Sequence, residues 1–264
     1  MKTPISIPFP ASERPKLKFS IGACKFNLRS GDGQSWVEGT YDDPTDNLPC
    51  VIEQSGNEVS VSQSRNISGL INVFNRTPTF DLLLSSQNPF DLVIEGGASE
   101  NCIELGGLPL SSVAVSFGAG KFEMSFLKPN PILMDSFRVS TGAGSMTLSK
   151  LLNAGFKNLK VEGGAASYKI DFTGKLGQDC NANIQIGVAS LDLDVPSDVP
   201  VAVKSETTLG GVEMGSGFTT KDGWLVNQAY LANPSPALSI STSIALGSLK
   251  LRIANSTVGL RAVP

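Results

Sequence analysis

The chain reads as an all-β protein: a single-stranded parallel β-solenoid of two facing sheets, with coils of about 21–24 residues and an irregular β head. Two observations predict this. Apolar residues alternate strictly with polar ones, as in Val113, Val115, Phe117 and then Phe122, Met124, Phe126, the period-two signature of a half-buried strand. The same phrase also returns along the chain, each copy bending at a corner of small residues: Gly118-Ala119-Gly120, Gly142-Ala143-Gly144, Gly163-Gly164-Ala165 and Gly187-Val188-Ala189. A period of 20–50 residues is the mark of a stacked array.

Each half-phrase supplies one strand. Leu159, Val161, Tyr168, Ile170 and Phe172 fill the places of the Val113 copy, as do Ile184, Ile186, Leu191, Leu193 and Val195, and Leu238, Ile240, Leu249, Leu251 and Ile253. One extra residue at the corner restores the phase after the bend. The expected structural corners are Gly22, Gly97, Gly118, Gly120, Gly142, Gly144, Gly164, Gly187, Gly210 and Gly247, where a missing Cβ lets the backbone turn sharply. The central residues Ala98, Ala119, Ala143 and Ala165 give way to Val188, Leu209 and Leu246, which reads as a core filling toward the C-terminal end. One coil cannot bury its own face, so coils must stack and the ends need caps.

Residues 1–89 are expected to form an N-terminal strand and an irregular β head capping the array, and 90–264 the repeat solenoid. Residues 1–16 read as an extended lead-in, and Leu17–Leu28 as an early copy of the phrase. Strands are expected near 36–41, 50–53, 58–62, 70–74 and 79–84, separated by turns at Ser30-Gly-Asp-Gly33, Asp42-Asp-Pro-Thr-Asp-Asn47 and Ser55-Gly-Asn57. Leu151–Ala154 reads as one helical turn. The stretch 212–237 reads as an insertion that caps the far end, with a tight turn at Lys221-Asp-Gly-Trp224.

Composition bounds the chemistry. An apolar share of 41% suffices for a core, and a net charge of −3 with no basic stripe argues against nucleic acid. There is no histidine, which removes the commonest general base and metal ligand together. Cys24, Cys50, Cys102 and Cys180 lie far apart without a C-x-x-C, which disfavours zinc and suits free, packed thiols. The N-terminus has no apolar signal region, and no run reaches a membrane span. The expected location is the cytoplasm, or a membrane-associated soluble domain.

Candidate sites are few. Asp42, Asp43 and Asp46 lack the Gly and Glu of a calcium loop and read as a solvated turn. The outward column Asn27, Cys102, Glu123, Thr147, Lys169, Asp192, Glu213 and Lys250 reads as a mixed ladder on a wet sheet face. The Gly-Ala-Gly corners lack a following helix and so are not phosphate loops. Ser149-Lys150 lies at a strand end, without the helical context of a serine–lysine nucleophile. Asn66-Ile-Ser68, Asn75-Arg-Thr77 and Asn255-Ser-Thr257 are glycosylation sequons whose meaning depends on a secretory route. No catalytic, cofactor or metal residue is expected. Trp36, Tyr41 and Trp224 are the candidate interaction surface, or else caps over the core.

The phrases Val161-Glu-Gly-Gly-Ala165, Ser140-Thr-Gly-Ala-Gly144 and Thr208-Leu-Gly-Gly-Val-Glu-Met214 resemble the toastrack-type domains of bacterial candidate adhesins and of LiaF-like cell-wall-active antibiotics response proteins. The likeness runs over roughly 90–253, with a weaker head at 17–74. It implies a parallel β-solenoid without catalytic motif and, in some members, regulation of envelope-stress signalling. A non-enzymatic scaffold or interaction module is the leading reading, with a protein or envelope component as partner. A carbohydrate-active or carbohydrate-binding solenoid is the alternative, and it needs clustered carboxylates and aromatic platforms in a groove. Open solenoid ends would also allow homo-oligomers.

Overall fold

The computed structural model of the protein describes residues 2–44, 46–63 and 77–254. Nearly all of it is β-structure. The head holds β1 (Lys2–Ile7), β2 (Lys16–Ile21), β3 (Lys25–Ser30), β4 (Val37–Asp42), β5 (Cys50–Ser55), β6 (Glu58–Gln63) and β7 (Thr79–Leu84). The long strands are β8 (Phe90–Glu104), β9 (Leu110–Ser125), β10 (Met134–Ser149), β11 (Phe156–Asp171), β12 (Cys180–Pro196), β13 (Val201–Met214) and β16 (Leu238–Ala254). Between β13 and β16 lie β14 (Phe218–Lys221), β15 (Trp224–Asn227) and a short helix, α1 (Gln228–Ala232). The expected strand at 70–74 and the sequons at Asn66 and Asn255 lie outside the described residues, as does the Asn75-Arg76 part of the third.

Each long strand is one coil bent at its middle. Phe117 and Phe122 are five residues apart, about 16 Å along a straight strand. Their ring centroids are 5.0 Å apart. The chain therefore folds back across the corner, and alternate residues on both arms enter one core. In β10, Phe137 and Val139 are buried before the bend and Met146 and Leu148 after it, while 142–145 are exposed. Ladder pairing runs through Thr141 with Phe117, omits Gly142, and resumes at Ala143 with Ala119. That omitted residue is the extra one that the alternation requires. The two facing sheets are thus the two arms of one long, open sheet folded along its corner line. Loops such as 126–133 and the 3-10 turn Leu151–Ala154 close each coil, with Leu151 and Leu152 buried.

The corner is set by close approach. Gly144 has φ +121°, and a Cβ there would stand 2.0 Å from the Gly120 carbonyl oxygen in the coil below. An alanine would strain the backbone and also collide with a neighbour that cannot move. The bulkier corner residues do not fill the core. Val188, Leu246 and Leu209 are 54%, 46% and 64% exposed, because the corner residue sits between the two inward-facing runs and points out.

Coil order departs from sequence order in one place. The stack runs β8-β9-β10-β11-β12-β16-β13, so the last coil of the sequence is slotted in before the one that precedes it. The side chains account for the exchange. β16 buries Leu238, Ile240, Thr242, Ile244, Leu249 and Leu251 along both arms and needs neighbours on each side. β13 is buried only at Val201, Ala202 and Val203 and is exposed from Gly210 to Met214, which suits a terminal place. The insertion then caps the first arm of β13, where β15 runs antiparallel to Ala202 and Val203. Asp222 and Gly223 take positive φ of 50° and 80° in the β14–β15 turn, the pattern of a tight hairpin.

At the other end, β2 and β3 form one broken coil lying parallel to the two arms of β8. The residues read as a lead-in form a strand instead: β1 pairs antiparallel with β4, which pairs antiparallel with β7. Pro4 is tolerated there because β1 is an edge. Trp36 and Tyr41 are fully enclosed. Trp36 packs edge-on against Phe90 at 5.7 Å. The Tyr41 hydroxyl donates to the Leu48 carbonyl at 2.5 Å and accepts from Gln63 Nε2 at 3.0 Å. Gln63 Oε1 in turn accepts from Gly22 N at 2.8 Å, stitching the split coil together.

Candidate functional site

The outward face of the first arms carries polar columns whose members stack from coil to coil. One runs Ser136, Asn158, Asn181, Ser239, and the other Arg138, Lys160, Asn183, Ser241. Alternation places them there: they flank Phe137, Leu159, Ala182 and Ile240, which turn inward. In-register parallel strands about 4.8 Å apart align the amides and hydroxyls into ladders. Trp224, at the start of β15, stands beside this face. Together they enclose a shallow groove of about 420 Å³.

The groove is lined by polar and cationic side chains and one indole. It offers amides and hydroxyls that both donate and accept, two cationic side chains, and one half-buried indole as an apolar platform. Lys160 Nζ is held by Glu162 at 2.7 Å. Arg138 is exposed and has no ion-pair partner among the described residues. The lining contains no Asp or Glu, so it lacks the carboxylate pair that glycoside hydrolysis ordinarily uses.

The residues singled out in the sequence separate cleanly. Trp224 lies at the groove, whereas Trp36 and Tyr41 are core and present no surface. In the acidic turn, Asp43 is 5% exposed and its Oδ2 accepts from Leu48 N at 2.7 Å, which fixes the loop. Among the described residues, no group of three or more His, Cys, Asp or Glu side chains could hold a metal ion. All four cysteines are free. Burial pushes the Cys24 and Cys180 thiols up to about 12 and Cys50 to about 11, so these are packing residues and poor nucleophiles. The column after the corner is a wet charge ladder, with Lys250 Nζ 2.8 Å from Glu213 Oε1. The asparagine ladder before the corner carries no motif that the sequence alone marks out. Its signal was present as Asn158, Asn181 and Asn183 at outward places, but only the stacking makes them neighbours.

No helix among the described residues is long and apolar enough to cross a membrane. The N-terminal domain model of the toast-rack family matches residues 2–130 and 127–194. No curated protein matches the chain. Among solved structures, a candidate cell adhesion protein from Clostridium sporogenes is similar at 18% identity and a TM-score of 0.50, covering 96% of this chain and 99% of that one. A candidate adhesin from Bacteroides fragilis aligns at 11% identity and a TM-score of 0.36, covering 96% of each chain. A candidate lipid binding protein from Parabacteroides distasonis aligns at 12% identity and 0.39, also over 96% of each.

Proposed function

This chain belongs to the toast-rack family, and on that premise we propose that it is a non-enzymatic, adhesion-type binding module for a polar polymer of the cell envelope, with the Trp224 groove as its contact site. The observation that carries this reading is the conjunction of an indole platform with ladders of amide and hydroxyl groups in one open groove. Such ladders repeat along the stack, as the units of a glycan repeat along a chain, and a sugar ring has an apolar face suited to an indole. Arg138 and Lys160 would favour chains with acidic groups. The fold is shared with a protein described as a candidate for cell adhesion, which is the same kind of role. A link to envelope-stress signalling would use the same contact, with the captured polymer as the signal.

Binding to immobilised neutral and acidic polysaccharides tests the reading. The protein is expected to be retained, more strongly by acidic chains. Trp224→Ala is expected to weaken retention by roughly tenfold or more, as loss of a stacking platform does, and Arg138→Ala to remove the preference for acidic chains. Equal retention of the protein and Trp224→Ala, or none on any polysaccharide, would overturn it.

A further inference from the structure

The β13 end of the stack is unfinished. One edge of β13 pairs with β16 from Val201 to Met214. On the other edge, β15 reaches only Ala202 and Val203. From Lys204 to Met214 that edge has no ladder partner among the described residues. A free edge of this length is a template for another strand, and proteins usually blunt such edges with proline, lysine or a cover. This segment has no proline and a single lysine.

The side chains around the edge are those of a contact. Val188, Leu246 and Leu209 lie side by side on three adjacent coils. Val212 and Met214 occupy the inward column of the last coil, yet are 42% and 46% exposed. They are core positions waiting for a further layer. The charges also stop in mid-pattern. On the outward face of the second arm, the column Lys169, Asp192, Lys250, Glu213 alternates in sign from coil to coil. It ends on a carboxylate at the open edge. The outward columns of the first arm end at the same edge on Lys204 and Glu206, whose charged groups lie 3.8 Å apart.

We propose that the β13 end is closed by a second copy of this chain. The copies would be related by a twofold axis through the corner between Thr208 and Leu209. Such an axis exchanges the two arms, reverses the strand and keeps the inward faces inward. Register then follows from the pleat. Ser205 and Thr207 face inward, as their partners Thr242 and Ile244 do, and so does Val212. Antiparallel pairing that matches inward with inward sets Ser205 opposite the partner's Val212. It also sets Lys204 opposite the partner's Glu213 on the outward face, and the reverse. The alternating column thereby gains its next positive charge, no like charges stand directly opposite one another, and Glu206 falls opposite the partner's Gly211. The contact is isologous and closes at two copies. It is independent of the groove reading, since either could fail alone.

Light scattering and sedimentation of the full chain across the micromolar range test this. Twice the 27.7 kDa chain mass is expected to emerge with concentration. Because each reversal turns two attractive pairs repulsive, Lys204→Glu or Glu213→Lys alone should raise the dimer dissociation constant about tenfold. The double reversal should restore it. Leu209→Lys, which sets two lysines beside the axis, should leave monomers. These residues are exposed, so a thermal melt matching the parent's confirms that each variant folds. A monomer at every concentration, a larger open assembly, or reversals that fail to compensate would overturn the proposal.

Discussion

The two ends of the stack solve the same problem in different ways. At the head, the last coil is split into β2 and β3 and is then covered on both arms, by β6 and β5 on one and by β7, β4 and β1 on the other. Its inward columns end in Trp36, Tyr41, Phe80 and Gln63, all enclosed. At the tail, the hairpin and α1 cover only the first arm of β13. Val212 and Met214, in the same kind of inward column, remain open. A solenoid needs both ends capped because each coil buries its face only against its neighbours. The head supplies its cap from its own chain; the tail supplies half of one. The residue type at a repeat position therefore does not decide its burial. Place in the stack does.

Substitution at the two ends should expose that difference most strongly. Trp36→Ala empties a fully enclosed aromatic site and should cost about 3–5 kcal/mol, as large-to-small changes in cores do. Val212→Ala removes atoms that are already half in water and should cost well under ~1 kcal/mol, since the transfer term scales with area buried. Chemical denaturation of the two variants, at protein concentrations low enough to keep the chain monomeric, makes the comparison. Similar losses at both ends would mean that the tail is covered after all.

The tail's half-cap hangs on one residue. The Asn227 side chain is fully buried. Its Oδ1 accepts from Val201 N at 3.1 Å and Tyr230 N at 3.0 Å, while its Nδ2 donates to the carbonyls of Val199 at 2.7 Å and Pro196 at 3.2 Å. It caps α1 and ties the hairpin to the ends of β12 and β13. All four of its bonds are made, and truncation would leave two donors, the Val201 amide among them buried, and two carbonyls without this partner. Asn227→Ala should cost about 2–3 kcal/mol and should also raise hydrogen exchange at the start of β13. Protection unchanged at Val201 to Val203 would show that the hairpin docks without it.

Much of this architecture was legible because its two periods are independent. Alternation identified Phe137, Val139, Met146 and Leu148 as core, and the repeat of Gly142-Ala-Gly144 located the bend. What the sequence could not carry was which coil neighbours which. Placing β16 between β12 and β13 requires weighing the fully apolar column of one against the exposed Val212 and Met214 of the other, and a linear repeat count is blind to that. For the same reason the bulk at Val188, Leu209 and Leu246 reads as core until the corner geometry turns it outward. Trp36 and Tyr41 show the limit for single aromatics, since nothing local separates an anchor from a cap. The groove was unreadable because Asn158 and Asn181 become neighbours only by stacking.

The cysteines give a finer measure of the same gradient. Cys102 is exposed and Cys50 half-buried, while Cys24 at the head and Cys180 in β12 are buried. A thiol reagent should modify Cys102 at once and Cys50 more slowly, and should reach Cys24 and Cys180 only through unfolding. The shifts also set a pH dependence. Burial raises the folded thiols of Cys24 and Cys180 from 9.0 to about 12. Unfolded chains therefore lose these protons first, and the folded state binds more protons between those values. Stability contributed by the two groups is complete below about pH 9 and falls as pH rises toward 12. With no histidine in the chain, no side chain with an ordinary pKa titrates between about pH 6 and 8. Melting temperature should be flat across neutrality and then fall above pH 9. Replacing both buried thiols, as Cys24→Ala with Cys180→Ala, should lower the plateau through lost packing but flatten that alkaline fall. An equally steep fall in the double variant would place the alkaline sensitivity elsewhere, with the buried Tyr41 and Tyr168 hydroxyls, also raised by burial, as the next groups to replace.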